Sequence, residues 1–178
     1  MRVCVFCSSS DGLDPRFYAL AADLGQRLGQ RGDTVVFGGG RIGMMGALAR
    51  AAVAAGGRVI GVYPAYFTDL KEPAATEHVV TRDLAERKAY MTANADAFIV
   101  LPGGLGTLDE LFDTLAPKSL KLHRKPVIVV NPDGFYDGLF AFLDDLLDRG
   151  FLRPEHRQLW QLVPNVDSAL ARLDAAGA

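Results

Sequence analysis

The chain of 178 residues contains only two cysteines, Cys4 and Cys7. Their spacing is that of a redox or metal pair, but on a β-strand these two positions point to opposite faces. No second pair of Cys or His completes a zinc site, because the three histidines, His78, His123 and His156, are scattered without metal-ligand spacing. We therefore expect two buried, reduced thiols and no metal site.

The chain also lacks a long apolar run and an excess of positive charge. Residues 1–7 are mostly apolar but too few for the hydrophobic region of a signal peptide or for a membrane span, and no later run is long enough. The 19 Lys and Arg and the 21 Asp and Glu residues give a net charge of −2, which argues against the basic face of a nucleic-acid-binding protein. We expect a cytoplasmic protein without membrane or nucleic-acid partners, whereas small anionic ligands stay possible.

Apolar runs and segments with helical periodicity alternate along the chain. The apolar runs are nearly continuous, which is typical of strands in a parallel sheet covered on both faces. The predicted strands are residues 2–7, 34–37, 58–63, 97–101 and 127–130, with short strand-like pieces at 77–81 and 161–163. The predicted helices are residues 17–31, 44–55, 84–94, 108–115, 136–149 and 166–175. With 49% hydrophobic and 22% charged residues, the chain is predicted to be α/β, a single doubly wound domain over residues 1–178 whose mostly parallel sheet is flanked by helices.

Three loops that follow predicted strands are rich in glycine and hydroxyl groups. They are residues 8–12 with Ser9 and Ser10, residues 38–43 with Gly39 and Gly40, and residues 102–107. Ligands collect at the carboxyl ends of the strands in such sheets, so we expect the three loops to form one ligand site. The two serines can hydrogen-bond a nucleotide there or simply cap a helix. Because the run at 38–43 is neither a P-loop nor a clear Gly-x-Gly-x-x-Gly motif, we expect no nicotinamide cofactor.

The most informative stretch is residues 101–110, Leu-Pro-Gly-Gly-Leu-Gly-Thr-Leu-Asp-Glu. Glycines let backbone N–H groups approach a ligand closely, and the first turn of a following helix adds unpaired donors and the positive end of its dipole. A phosphate is the natural ligand of such a loop. The predicted binding residues are Gly103, Gly104, Leu105, Gly106 and Thr107.

Glu110, one turn further on, has two interpretations. Thr107 to Glu110 matches a capping box, in which both side chains satisfy donors at the start of a helix. A cap does not require three glycines before it, which favours an acid beside a bound phosphate, and there the helix N-terminus should stabilise the carboxylate. Arg87 and Lys88 also have two interpretations. Charged triplets on helices usually form a solvated face, but the predicted helix 84–94 leads directly into the strand before the glycine loop.

The Arg87-Lys88 pair and the motif Pro-Gly-Gly-x-Gly-Thr-x-x-Glu at 102–110 together resemble the "lonely guy" (LOG) family of cytokinin riboside 5′-monophosphate phosphoribohydrolases. The resemblance extends over residues 3–10, 36–46, 57–64, 86–89 with Met91, and 95–110. It implies a Rossmann-like homodimer. The implied reaction is cleavage of the N-glycosidic bond of a cytokinin-type or adenine nucleoside 5′-monophosphate, such as AMP, to free base and ribose 5-phosphate.

The same resemblance implies roles for individual residues. Arg87 and Glu110 would be the catalytic pair, Lys88 and residues 104–107 would hold the nucleotide, and Glu72 would belong to the substrate site. Members of this family are often labelled lysine decarboxylases, but the sequence gives no independent support for the lysine Schiff base of a pyridoxal enzyme, and we expect no cofactor. The open alternative is a carrier of a nucleotide or phosphorylated cofactor, with the same fold and no turnover.

The chain departs from the family pattern shortly after Glu110. Where the family commonly has Thr-Trp-Ala-Gln-Leu-Gly, residues 116–121 read Ala-Pro-Lys-Ser-Leu-Lys. Pro117 is expected to break or kink the helix after its first turns. The missing Trp and Thr alter a segment that would affect base recognition and the dimer surface.

Overall fold

The computed structural model describes residues 1–177, and its strands form one seven-stranded parallel sheet. In chain order the strands are β1 (Arg2–Phe6), β2 (Thr34–Phe37), β3 (Arg58–Pro64), β4 (Glu77–Thr81), β5 (Ala97–Val100), β6 (Val127–Val130) and β7 (Gln161–Val163). Across the sheet they run β4-β3-β2-β1-β5-β6-β7. Each predicted strand is found, and its ends differ from the prediction by a residue at most.

Helices cover both faces of the sheet, so the predicted doubly wound α/β fold is confirmed. The helices are α1 (Pro15–Gln30), α2 (Gly43–Ala54), α3 (Leu84–Ala93), α4 (Leu105–Ser119), α5 (Asp137–Asp148) and α6 (Val166–Gly177). The core on one face contains side chains of α1, α2 and α6, and the core on the other contains side chains of α3, α4 and α5. None of the described helices combines the length and hydrophobicity that a membrane span requires.

The continuous apolar runs have a simple cause. Successive residues of a strand point to opposite faces, and here both faces are covered: Val3 and Val5 pack in the core beside α1, whereas Cys4 and Phe6 pack in the core beside α4. Cys7 lies in the first of these cores, so the two cysteines are buried free thiols on opposite sides of the sheet.

The sheet changes winding direction between β1 and β5. From β1 the chain proceeds through β2 and β3 to the edge strand β4, and it then returns to add β5 on the other side of β1. The loops after β1 and β5 therefore lead to helices on opposite faces and leave a crevice between them at the carboxyl edge of the sheet. Such a switch point is the usual ligand position in doubly wound folds.

The structure of α4 excludes the capping-box interpretation of Glu110 and contradicts the prediction for Pro117. The helix begins at Leu105, with Gly104 as its N-cap and no side-chain hydrogen bond to the cap, so Thr107 lies inside the first turn and forms no capping box with Glu110. Pro117 does not interrupt the helix after its first turns, because it lies in the last turn, two residues before the end at Ser119. Because Pro117 has no N–H, the Asp113 carbonyl loses its helical donor, but the helix ends two residues later and is not divided in two.

Candidate active site

A cavity of about 380 Å³ lies at the switch point. Its wall includes residues from all three glycine- and hydroxyl-rich loops, so the prediction that they meet at one sheet edge is confirmed. Of the residues predicted to contact a ligand, those that line the cavity are Ser9, Ser10, Gly39, Gly40, Gly104, Leu105, Gly106, Thr107, Arg87 and Glu110.

Backbone hydrogen bonds join the loops to one another. The Ser8 N–H donates to the Pro102 carbonyl at 3.2 Å, and the Met44 N–H at the start of α2 donates to the Ser8 carbonyl at 3.0 Å. The Ser8 hydroxyl accepts the Ser10 N–H at 3.1 Å. Ser8 thus fixes the first loop, a role that the sequence analysis did not assign. Ser9 and Ser10 line the cavity.

The N-terminus of α4 opens into the cavity. Because Gly104 has no side chain to cap the helix, the N–H groups of Leu105, Gly106 and Thr107 have no side-chain partner at this end. Unpaired N–H groups and the positive end of the helix dipole make this turn an anion site. Gly103 precedes this turn and packs against the Thr107 side chain. A Cβ at Gly103 would lie 2.0 Å from Thr107 Oγ1, so glycine is needed for Thr107 to pack there.

Arg87 and Glu110 form an ion pair in the wall of the cavity. Arg87 Nη1 lies 2.8 Å from Glu110 Oε1, and the two side chains are only 12% and 10% exposed. The Arg87 Nε–H donates to the Val62 carbonyl at 3.0 Å, which fixes the guanidinium against the end of β3. A cationic and an anionic group from different helices therefore meet beside the anion site.

Glu110 lies beyond the first turn of α4, and its environment is dry. Burial raises the pKa of the Glu110 carboxyl above its ordinary value, although the Arg87 guanidinium opposes the shift. The expectation that the helix N-terminus would dominate and stabilise the carboxylate is therefore wrong, because the dipole effect fades within the first turn while desolvation acts fully. A carboxyl with a raised pKa is better suited to accept a proton.

Lys88 lies on the outer side of the same site and does not line the cavity. Its ammonium is 3.0 Å from the Asp109 carboxylate and 3.4 Å from that of Asp113, and the hydrogen bond to Asp109 is the main reason why the pKa of Lys88 is raised. Asp109 does line the cavity. In this structure Lys88 therefore positions Asp109 and does not itself reach the wall.

Glu72 lies behind the second glycine loop. Its carboxylate pairs with Arg50 Nη1 at 2.5 Å and accepts the Ala74 N–H at 3.0 Å, and its side chain is 2% exposed. The Glu72 N–H donates to the Gly39 carbonyl at 2.7 Å. Glu72 is not part of the cavity wall, so the structure gives it a position that supports the loop and no direct contact with a ligand in the cavity.

The cavity wall has an apolar part, which the sequence analysis missed. The side chains concerned are Ile42, Met45, Tyr63, Phe67, Leu70 and Leu84. One signal could have identified part of this set: β3 is parallel to its neighbours, so the chain that leaves it after Tyr63 must emerge at the same edge as the glycine loops. Gly39, at φ 76°, fits against Tyr63, because a Cβ there would lie 2.5 Å from the Tyr63 ring.

The cavity thus has a potential anion site at the start of α4, an acid and a guanidinium in its wall, and an apolar part. No lysine lines it, and no group of three or more His, Cys, Asp or Glu within residues 1–177 could hold a metal ion. The arrangement can hold a phosphate and an apolar or aromatic group in one cavity that also contains a carboxylate.

Three comparisons identify a family and proteins that are similar to this chain in sequence or fold. A family profile described as "Possible lysine decarboxylase" matches residues 45–173. The chain is 42% identical over 176 residues to a cytokinin riboside 5′-monophosphate phosphoribohydrolase of Arabidopsis thaliana, covering 98% of this chain and 77% of that protein. It is 44% identical over 170 residues to a Mycobacterium tuberculosis protein of the same name, covering 94% and 90% respectively.

Solved structures with a similar fold include two that bind or carry the molybdenum cofactor. The protein from Rippkaea orientalis superposes with a TM-score of 0.77 at 23% identity, over 99% of this chain and 97% of that chain. The carrier protein from Chlamydomonas reinhardtii gives a TM-score of 0.77 at 21% identity, over 98% and 96%. At this level of identity the likeness concerns the fold alone.

Proposed function

This chain belongs to the family of the cytokinin riboside 5′-monophosphate phosphoribohydrolases, and we propose that it hydrolyses the N-glycosidic bond of a nucleoside 5′-monophosphate. The products are the free base and ribose 5-phosphate. The observation that carries the proposal is the buried pair of Arg87 and Glu110 beside an uncapped helix N-terminus.

The phosphate of the substrate is proposed to lie at the start of α4. There the N–H groups of residues 105–107 and the helix dipole favour a dianion. The hydroxyl-rich loop with Ser9 and Ser10 and the glycines Gly39 and Gly40 complete the wall around it. Lys88 is assigned an indirect role, through the Asp109 carboxylate that it holds.

The chemistry requires a carboxylate near the sugar. Breaking the bond between C1′ of the ribose and the base nitrogen leaves positive charge on the ring, which an anionic Glu110 stabilises. The oxygen of a water molecule forms the new bond to C1′, the bonding electrons leave with the base, and the base gains a proton. Glu110 either attacks C1′ itself or activates the water, and both routes occur in glycoside hydrolysis.

Arg87 is proposed to act electrostatically. A guanidinium does not lose its proton at neutral pH, so it cannot be the base. From its position between the Val62 carbonyl and Glu110, it orients the carboxylate and can interact with the phosphate, the ribose hydroxyls or the leaving base.

The apolar part of the cavity is proposed to hold the base. Its side chains come from the start of α2, the segment after β3 and the start of α3, and include Met45, Phe67 and Leu84. Aromatic bases and apolar N6 substituents both favour such a surface. AMP and an N6-substituted AMP are therefore the two substrates to compare.

The test is release of free base from these two nucleotides by the purified protein, measured by chromatography. Glu110→Gln is expected to lower turnover by about two orders of magnitude or more, because it removes the charge while keeping the shape. Asp113→Asn is the matched control: it neutralises an exposed carboxylate on the same helix and should retain activity. Equal turnover by the parent and the Gln variant would refute the role of Glu110.

The carrier alternative predicts tight nucleotide binding without base release in the same incubation. Its structural support is the likeness to molybdenum cofactor proteins, which at 21–23% identity extends to the fold only. Lysine decarboxylation is not proposed, since no lysine lines the described cavity to form a Schiff base.

The proposal includes a homodimer and a cytoplasmic location. Leu105 and Phe112 are 87% and 40% exposed on one face of α4, and a second copy covering this face would complete the rim of the cavity. Sedimentation velocity should show a dimer that Phe112→Arg dissociates and that Phe142→Arg on α5 leaves intact. The free thiols of Cys4 and Cys7 fit a reducing compartment, which cell fractionation tests.

A further inference from the structure

A second cavity, of about 550 Å³, lies at the opposite edge of the sheet. It is formed by the end of α4, the segment 121–126 that precedes β6, the turn at Pro154–Gln158 and the first residue of β7. Because the strands are parallel, this is the amino edge, remote from the crevice that holds Arg87 and Glu110. Its volume is within the range of small-molecule sites.

Three cations line this cavity: Lys118, Lys121 and Arg124. Most Lys and Arg side chains of the chain pair with a carboxylate, but within residues 1–177 none of these three does. The acidic side chain in the wall, Glu155, lies 4.0 Å from Arg153. The wall therefore carries an excess of positive charge.

Helix capping explains only part of this cluster. Lys118 and Lys121 lie at the end of α4, where cations offset the helix dipole. His156 accepts the Arg153 N–H at 3.4 Å and so caps its own turn, but Arg124 comes from another segment and has no such reason to be there. Lys118 is also partly withdrawn from water, and burial lowers the pKa of its ammonium below the ordinary value. A cation at this position would gain from a bound anion.

Two buried acceptor atoms face no donor among residues 1–177: His123 Nδ1 and Gln161 Oε1. His123 Nε2 lies 3.0 Å from the Thr114 carbonyl. Since a carbonyl only accepts, Nε2 carries the proton, and Nδ1 of the neutral ring presents a lone pair. Burial also lowers the pKa of His123, which favours the neutral ring. Both residues line the cavity, but these two atoms are themselves closed to solvent, so a ligand's hydroxyl donors reach them only when the two side chains turn toward the cavity.

We propose that this cavity binds a small phosphomonoester that carries hydroxyl groups, of the sugar phosphate class. The phosphate contacts Lys118, Lys121 and Arg124, and hydroxyl groups donate to His123 Nδ1 and Gln161 Oε1. The site is separate from the candidate active site and does not depend on the reaction proposed for it.

The three histidines of the chain allow a direct test, because their imidazole C2–H resonances separate the two sites by NMR. His123 and His156 line the second cavity, whereas His78 packs against Tyr63, its ring 5.8 Å away, beside the first. Glucose 6-phosphate is titrated at fixed pH and ionic strength. We expect saturable shifts of His123 and His156, with a binding curve distinct from any shift of His78.

Charge-neutralising variants then identify the binding groups. Lys121→Gln with Arg124→Gln changes two exposed side chains and should weaken binding at least about tenfold. The matched control, Arg16→Gln with Arg58→Gln, removes the same charge from exposed sites that already hold carboxylates and should leave the curve unchanged. Thermal midpoints confirm that both proteins fold.

Other ligands complete the test. Citrate and glucose should not saturate the His123 and His156 shifts, and inorganic phosphate should bind more weakly than glucose 6-phosphate because it lacks the carbon-bound hydroxyls. No saturable shift, equal binding of citrate, or a curve that the cation variants leave unchanged would overturn the proposal. Equal binding of inorganic phosphate would overturn the assignment of donors to His123 and Gln161.

Discussion

The Arg87 guanidinium occupies the space where a side chain at Gly38 would begin. A Cβ built on Gly38 would lie 2.1 Å from Arg87 Nη2, and Met45 Sδ would be the next neighbour at 3.1 Å. The backbone at Gly38 is not in the left-handed region, so the reason for glycine here is space for the arginine. The glycine loop after β2 thus leaves room for the pair of Arg87 and Glu110 and also forms part of the cavity wall.

Gly38→Ala should therefore lower activity without unfolding the protein. The new methyl group displaces the flexible end of Arg87, which moves the guanidinium away from Glu110 and from the Val62 carbonyl. We expect base release to fall by about two orders of magnitude, since small displacements of catalytic groups are costly. The free energy of unfolding should change by only about 1 kcal/mol, because a flexible side chain can give way.

Gly138→Ala is the control for this prediction. Gly138 lies in α5 and a Cβ there meets nothing within 4 Å, so the change should stabilise the helix by up to about 1 kcal/mol and leave turnover unaltered. If Gly38→Ala kept full activity, the position of Arg87 would not matter for the reaction.

The raised pKa of Glu110 predicts how its contribution to stability depends on pH. A carboxyl that holds its proton more tightly in the folded than in the unfolded protein contributes most below the unfolded pKa, about 4.3. That contribution is lost as the pH rises through the higher folded pKa. The difference in unfolding free energy between the parent and Glu110→Gln should therefore shift against the parent from pH 4 upward.

Urea denaturation of both proteins between pH 4 and pH 8 measures this difference. The comparison cancels the titration of all other groups, provided that they are too distant to couple with position 110. A difference that moves in favour of the parent with rising pH would mean that Arg87 lowers the pKa more than burial raises it.

Much of the framework could be predicted because it depends on local patterns. The apolar runs of β2 and β6 identify buried parallel strands by themselves, and the parallel sheet then brings their loops to one edge. The start of α4 could not be predicted, because Thr107 and Glu110 have the spacing of a capping box. In the structure the helix begins before Thr107, at Leu105, with Gly104 as its N-cap.

The rest of the site depends on contacts between distant segments. The sequence shows an acid at Glu110 but not the burial that raises its pKa, since this depends on how α3 and α4 pack. Met45, Phe67 and Leu84 read as ordinary apolar residues of three separate segments, and only the folded chain brings them together. Glu72 matched a substrate-site position by resemblance, yet the structure turns its carboxylate to Arg50.

Breaking the pair of Arg50 and Glu72 should destabilise the fold and loosen the glycine loop. Arg50→Ala leaves the Glu72 carboxylate buried with the Ala74 N–H as its remaining partner. We expect a loss of about 2 kcal/mol, less than for a fully buried pair because Arg50 itself is half exposed. Since the Glu72 N–H holds the Gly39 carbonyl, the KM for the nucleotide should rise more than kcat falls.

Arg58→Ala is the matched comparison. It removes an arginine from a carboxylate pair in which both side chains are well exposed, so solvent screening should limit the loss to less than about 1 kcal/mol. Chemical denaturation gives both values. Equal losses in the two variants would show that the burial of Glu72 has no energetic consequence.

Lys121 adopts a left-handed backbone conformation, with φ 63°, at the position where the family pattern has glycine. For a residue with a Cβ, this conformation is unfavourable by about 1 kcal/mol or more in free energy. Lys121→Gly should therefore raise the free energy of unfolding by about 1 kcal/mol, after allowance for the greater freedom of glycine in the unfolded chain.

The control, Lys118→Gly, removes the same charge from the last turn of α4, where the change should instead lower the free energy of unfolding by about 1 kcal/mol. Opposite shifts in the urea midpoints of the two variants would show that backbone conformation, not charge, determines the effect. A loss of stability in Lys121→Gly would mean that contacts of the lysine side chain stabilise the fold by more than the backbone strain destabilises it.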